Sequence, residues 1–241
     1  MKILFNYGKT FALLAGLTAL MGMIGYAFGG MSWAIIMLLI AGGMNFFAYW
    51  QSDSLVLKMH GAVPVPEGRL PYLHKIVERL AQRAGIPKPK IYIVPDPTPN
   101  AFATGRNPEH AAIAVNEGIL DLLTEQELEG VLAHETAHIV NRDILISTVT
   151  ATIAGAISML ANIGGYIMLF TGGSDDDGPN PLVAILLMIL APLIATIIQM
   201  AISRTREYQA DALGAKLAGT PSGLASALAK LDSLSARITP S

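Results

Sequence analysis

Thr124-Glu-Gln-Glu-Leu-Glu-Gly-Val-Leu-Ala-His-Glu-Thr-Ala-His-Ile-Val-Asn-Arg-Asp143 is the stretch from which the fold and the chemistry are both read. Thr124 with Glu127 three residues later is a capping box, so a helix is predicted to start here. Glu125, Glu127 and Glu129 crowd its first turns, where the helix dipole favours negative charge. Val131, Leu132 and Ile139 are its packing positions. His134 and His138 are four residues apart, on one helical face, so both imidazoles converge on a single metal ion. Glu135 projects beside that ion, where a carboxylate takes a proton from a metal-activated water. The chain has only 5 histidines, and two of them fall at this spacing around a glutamate. No proline or glycine separates Val140 from the next apolar run. One nearly continuous helix is therefore predicted from this motif into a membrane, with Arg142 and Asp143 at the boundary.

That apolar run is one of four. Hydrophobic residues make up 52% of the chain and charged residues 14%, and mean hydropathy is +0.49, outside the usual soluble composition. Segments 11–28 and 31–50 are almost free of charge and are parted by Gly29-Gly30. Segments 144–170 and 182–202 form a second pair, joined by a connector containing Asp175, Asp176 and Asp177. Each has the roughly 18 to 25 residues that cross a hydrocarbon core of about 30 Å, the third with a few to spare. Phe5, Tyr7, Tyr49 and Trp50 suit the membrane–water interface. The second segment comes so soon after the first that a hairpin anchor is expected, not a cleaved signal. Lys and Arg cluster at the N-terminus, between Lys58 and Arg142, and from Arg204 onward, while the short connectors have none. The positive-inside rule then places the motif helix in the cytoplasm.

The expected organisation is a membrane hairpin over 1–50, a water-facing region over 51–143, a second membrane pair over 144–202 and a helical return over 203–241. The fold class is α+β, mainly α. Pro71 opens a helix through about Arg83, closed by Gly85, with Leu73, Ile76, Val77 and Leu80 at helical intervals. Ile91–Val94, Asn100–Gly105 and Ala111–Val115 read as extended. An edge strand beside the motif helix could take a peptide in extended form, and Ala112, Ile113, Ala114 and Val115 are the candidates for this. A purely structural meander is the equal alternative. A net charge of −2 with no basic stripe gives no reason to expect a nucleic-acid partner. The absence of cysteine excludes disulfides and thiolate metal sites.

A catalytic zinc site normally needs a third protein ligand. Glu207 and Asp211, four apart in Ser203-Arg-Thr-Arg-Glu-Tyr-Gln-Ala-Asp211, share one helical face. The pair of spans returns the chain to the side it left, so Glu207 re-emerges at the depth of His138. It is the predicted third ligand, and Asp211, one turn on, is predicted to accept a ligand histidine N–H. Arg204 and Tyr208 are weaker candidates for stabilising an oxyanion. The alternative for this segment is a solvated face on which the carboxylates pair with Arg204 and Arg206.

His134-Glu135-x-x-His138, Asn141-Arg-Asp143 and Arg204-x-Arg-Glu-Tyr-x-Ala-Asp211 together resemble the HtpX family of membrane-bound zinc metalloproteases, relatives of the CAAX prenyl proteases. Asn100-Ala-Phe-Ala-Thr-Gly105 is similar to the segment before that family's substrate-side strand. The resemblance implies about four transmembrane helices and a cytoplasmic zincin-like, gluzincin-type catalytic domain. It implies one Zn2+ per chain on His134, His138 and Glu207, with Glu135 as catalytic base. It also implies a multi-pass protein of a bacterial-type inner membrane that cleaves membrane or misfolded proteins in quality control under stress. The family pattern continues into a further helical tail with a His-Pro and a basic residue, which a sequence ending at Ile238-Thr-Pro-Ser241 does not carry. Two other expectations compete: a prenyl-protein processing protease of the same fold, and a membrane scaffold with no enzymatic role.

Overall fold

Two glycines turn the N-terminal apolar run back on itself. In the computed structural model, which describes residues 2–149 and 204–238, α1 (Lys2–Met59) is interrupted at Gly29 and Gly30. Gly30 has φ +69° and ψ −156°, a conformation essentially closed to residues with a Cβ. The two halves are clasped by Asn45, whose Nδ2 donates to Thr18 Oγ1 at 2.7 Å and to the Leu14 carbonyl at 3.2 Å. Among the described residues, Gly29–Gln51 is the helix long and apolar enough to cross a membrane, and the first half contributes the shorter apolar stretch Leu14–Met23. Beyond residue 149, the expected third and fourth spans lie outside the described residues.

The end of α1 runs on to a four-stranded sheet of order β1-β2-β4-β3, built from Val63–Pro64, Lys90–Val94, Ala111–Asn116 and Ala101–Gly105 respectively. β2 and β4 are parallel, and the other two pairings are antiparallel. Alternation assigns the faces. Ile91, Ile93, Ile113 and Val115 point into the main core with Leu73, Val77 and Leu80 of α2 (Pro71–Ala84) and Leu128 and Leu132 of α4 (Glu125–Val140). Tyr92, Val94, Phe102, Ala112 and Ala114 line the other face, covered by Leu57 at the end of α1. Leu73, Leu80, Ile113 and Leu132 are completely buried, each contributing about 1.5–3 kcal/mol. α3 (Glu117–Leu122), a 3-10 turn at Pro108–His110 and the short β1 were not apparent in the sequence.

Two expectations are corrected. Ala112–Val115 lie in β4, the interior strand, paired on both sides and wholly buried. An incoming peptide finds no free main-chain groups there, so these residues are not a substrate edge. The motif helix also does not run unbroken into the next helical segment. α4 ends at Val140, Arg142 turns left-handed at φ +59°, and the chain is helical again over 144–149.

The last two helices, α5 (Arg204–Ala218) and α6 (Ser222–Ile238), both pack on α4. α6 is held by buried Glu127, the capping-box glutamate. Its Oε1 accepts from Ser226 Oγ at 2.6 Å, and its Oε2 accepts from Lys230 Nζ at 2.7 Å and from the Thr124 N–H at 2.9 Å. Lys230, then Ser226 and Thr124, hold the carboxyl down at about 2. Because the folded value lies below the ordinary one, the stabilisation is complete above about pH 4.5 and fades as pH falls toward 2. Glu127→Gln is expected to lower the unfolding midpoint near neutrality and to flatten the acid limb between pH 4.5 and 2, monitored by urea unfolding in detergent. An unchanged acid limb would count against the clamp.

Candidate metal centre

α4 presents the two histidines with their Nε2 atoms 3.0 Å apart. α5 crosses α4 and brings Glu207 to them, its Oε2 lying 3.4 Å from His134 Nε2 and 3.7 Å from His138 Nε2. The three atoms form a nearly equilateral triangle and are the kind of cluster that can hold one metal ion. Tetrahedral bonds of about 2.0–2.1 Å place neighbouring donor atoms roughly 3.3 Å apart, which is the scale of this triangle.

The chemistry of the donors agrees with the spacing. His138 Nδ1 lies 3.1 and 3.2 Å from the two oxygens of Asp143. A carboxylate only accepts, so Nδ1 keeps its proton, and Nε2 is the nitrogen left to a metal once its own proton departs. His134 Nδ1 is 2.9 Å from Asp211 Oδ1, close enough for charge attraction although off the line of a hydrogen bond. Three potential ligand atoms thus face one position, where either a proton shared between the imidazoles or a metal cation can sit. Burial pulls the His138 imidazolium down. Its hydrogen bond to Asp143 and the charges of Glu135, Asp143 and Glu207 outweigh this and hold the proton up to about 9. A metal at this point competes with that proton. The residues present fit a divalent metal.

Glu135, on the next position of α4, is aimed at the sheet. Its Oε2 accepts from the Ala103 N–H of β3 at 2.8 Å. Burial raises its pKa; His138, His134 and the Ala103 N–H oppose the rise, and the Glu207 charge adds to it. β3 pairs with β4 on one side only, so it is the sheet's outer strand beside the histidines. Its far end is tied to the helical turn after the motif, where the Gly105 N–H donates to buried Thr148 Oγ1 at 3.2 Å and Thr104 Oγ1 lies 3.0 Å from the same oxygen.

The residues named from the sequence as metal-binding or catalytic, His134, Glu135, His138 and Glu207, are therefore found at one place, with Asp211, expected to orient a ligand histidine, beside His134. The strand residues 112–115 are not. Three contributors were missed. Asp143 reaches His138 only because the chain breaks at Arg142, and the Ala103 N–H is main chain with no sequence signature. Arg206, on a solvated face only in the alternative reading, is buried. Burial lowers its pKa, and the nearby carboxylates of Asp143 and Glu207 oppose that. Arg204 and Tyr208 are exposed, Tyr208 at 72%.

Residues 67–237 match Peptidase family M48. The chain is 53% identical over 236 residues to a protein named Protease HtpX homolog from Desulfatibacillum aliphaticivorans, covering 97% of this chain and 76% of that one. It is 54% identical over 230 residues to Protease HtpX of Legionella pneumophila subsp. pneumophila, covering 95% and 81%. Among solved structures, the crystal structure of S. mikatae Ste24p superimposes with a TM-score of 0.51 at 22% identity. That match covers 95% of this chain, which spans 58% of the Ste24p chain, and it is a likeness of fold.

Proposed function

This chain belongs to peptidase family M48, and on that premise we propose that it is a zinc endopeptidase with His134, His138 and Glu207 as metal ligands and Glu135 as general base. It is a membrane-bound metalloprotease acting on protein or peptide substrates, which removes the scaffold expectation. The observation that carries the proposal is the convergence of three potential ligand atoms from α4 and α5 on one point, with Glu135 next to them.

Zinc bound there supplies a Lewis acid and a water acidified toward a pKa of about 7. Glu135 takes the water proton and delivers it to the departing amine. Asp143 accepts from His138 Nδ1 and fixes that tautomer from behind, while the Asp211 carboxylate stands beside His134 Nδ1. The outer strand β3, in place of β4, is the edge along which an extended substrate lies, its main chain beside Glu135. Arg206 balances the carboxylates crowded around the ligands.

The membrane architecture is proposed from composition and charge: the hairpin 1–50 and the apolar pair 144–202 as about four spans, with 51–143 and 203–241 on the cytoplasmic side of a bacterial-type inner membrane. Membrane or misfolded proteins presented at that face are then the substrates, which fits a role in membrane protein quality control under stress.

Chain purified in detergent is expected to contain one zinc ion and to hydrolyse casein, both lost on chelation and restored by zinc. Protein with no stoichiometric metal, or cleavage indifferent to chelator, would sink the proposal.

A further inference from the structure

Glu207, Asp211 and Gly214 recur at helical intervals along α5 and form one stripe on the face that meets α4. All three touch the same residue. Glu207 Oε2 lies 3.4 Å from His134 Nε2, and Asp211 Oδ1 lies 2.9 Å from His134 Nδ1. Gly214 is buried against the backbone beneath: a Cβ placed there would sit 3.0 Å from His134 N, 3.1 Å from its Cα and 3.2 Å from the Ala133 carbonyl carbon. Main chain within a packed helix cannot swing aside as a side chain does.

We infer that Gly214 is a positioning residue for the metal site, setting the α4–α5 separation that lets Glu207 and Asp211 reach His134. A carboxylate carried on a helix has a fixed reach. When the two axes move apart, Glu207 cannot track the histidines without leaving its rotamer, and metal bonds tolerate only about ±0.2 Å. Glycine is otherwise a poor choice here, because within a helix it is less favourable than alanine. Helix propensity alone therefore favours Gly214→Ala, while the geometry of the site disfavours it. The two effects have opposite signs and separate experimentally.

The inference rests on the ligand set proposed above. The test uses the full chain in detergent, with zinc affinity measured by chelator competition and the visible absorption of bound Co2+ as a report on coordination. Gly214→Ala is expected to weaken zinc about 10- to 100-fold and to alter the Co2+ spectrum, while the thermal midpoint of the metal-free chain falls less than in Gly223→Ala, whose added Cβ meets a closer contact. Gly214→Val is expected to lose more. Gly223→Ala is the control: it places a Cβ 2.4 Å from the Gln126 carbonyl oxygen, where α6 crosses α4, so it should cost stability but leave metal affinity unchanged. Should Gly214→Val fail to fold, Gly214→Ala still gives the readout. Wild-type metal affinity in both Gly214 variants, or an equal loss in Gly223→Ala, overturns the inference alone. A wild-type chain that binds neither metal, or one whose binding survives His134→Ala, overturns the ligand set along with it.

Discussion

Glu135→Gln is expected to keep its metal and to lose peptide hydrolysis by about 10²- to 10⁴-fold, the usual worth of a positioned general base. Glutamine has the same shape, and its amide oxygen still accepts the Ala103 N–H that holds Glu135 Oε2 at 2.8 Å. The side chain therefore stays where it is, and none of the atoms in the His134–His138–Glu207 triangle changes. What disappears is the capacity to take up a proton. Burial keeps the native carboxyl above its ordinary value, toward the range in which a base at neutral pH works best. Glu135→Ala should differ in an informative way. It also releases the Ala103 N–H, so β3 loses its tether to α4, and KM rises together with the fall in kcat. Metal content by mass spectrometry and casein kinetics distinguish the two variants. Retained hydrolysis in Glu135→Gln, with zinc still bound, would assign the base to another group.

The helix carrying the motif is legible because several signals agree on it: the Thr124–Glu127 box, the acidic first turns and the i, i+4 histidines. Glu207 is legible for a different reason. Two apolar segments of spanning length predict that the chain returns to the side it left, so a carboxylate soon after residue 202 is expected near the histidines. Asp143 is not legible. On an unbroken helix, a residue five positions after His138 points well away from its face, and only the left-handed turn at Arg142 swings it back. That turn occurs without glycine or proline, so no residue type announces it. The order of strands is equally hidden. Alternation says which residues share a face but not which strand stands at the edge, and the small alanines of β4 do not decide it. Their size instead fits a face covered by Leu57 from α1. Arg206 reads as solvated because its neighbours in sequence are polar. Packing of α5 against α4 buries it, with the carboxylates of Asp143 and Glu207 close enough to offset part of the cost of burial.

Glu207→Ala should release the metal without unfolding the chain. Half of the Glu207 side chain is exposed, at 51%, and its short contacts are to the two imidazoles, so the helix that carries it loses no core packing. Structural zinc sites gain roughly 10–16 kcal/mol from four ligands; one ligand is then worth about 3–4 kcal/mol, or about 10²- to 10³-fold in affinity. The metal-free protein should respond far less. There the Glu207 charge helps to hold the His138 proton, so its loss is expected to leave the thermal midpoint without metal level or slightly lower, while the midpoint with saturating zinc falls clearly. Glu207→Gln should fall nearly as far in zinc affinity, because a neutral amide oxygen donates far less to a divalent cation than a carboxylate does. Asp211→Asn should fall less, about 10- to 100-fold, since it acts through the orientation of His134 and not on the metal directly. Thermal unfolding with and without zinc, alongside chelator competition, separates the metal effect from the effect on the fold in one series. Equal zinc affinity in Glu207→Ala and wild type would mean that α5 meets the histidines for packing alone, and the third ligand would have to be sought elsewhere in the chain.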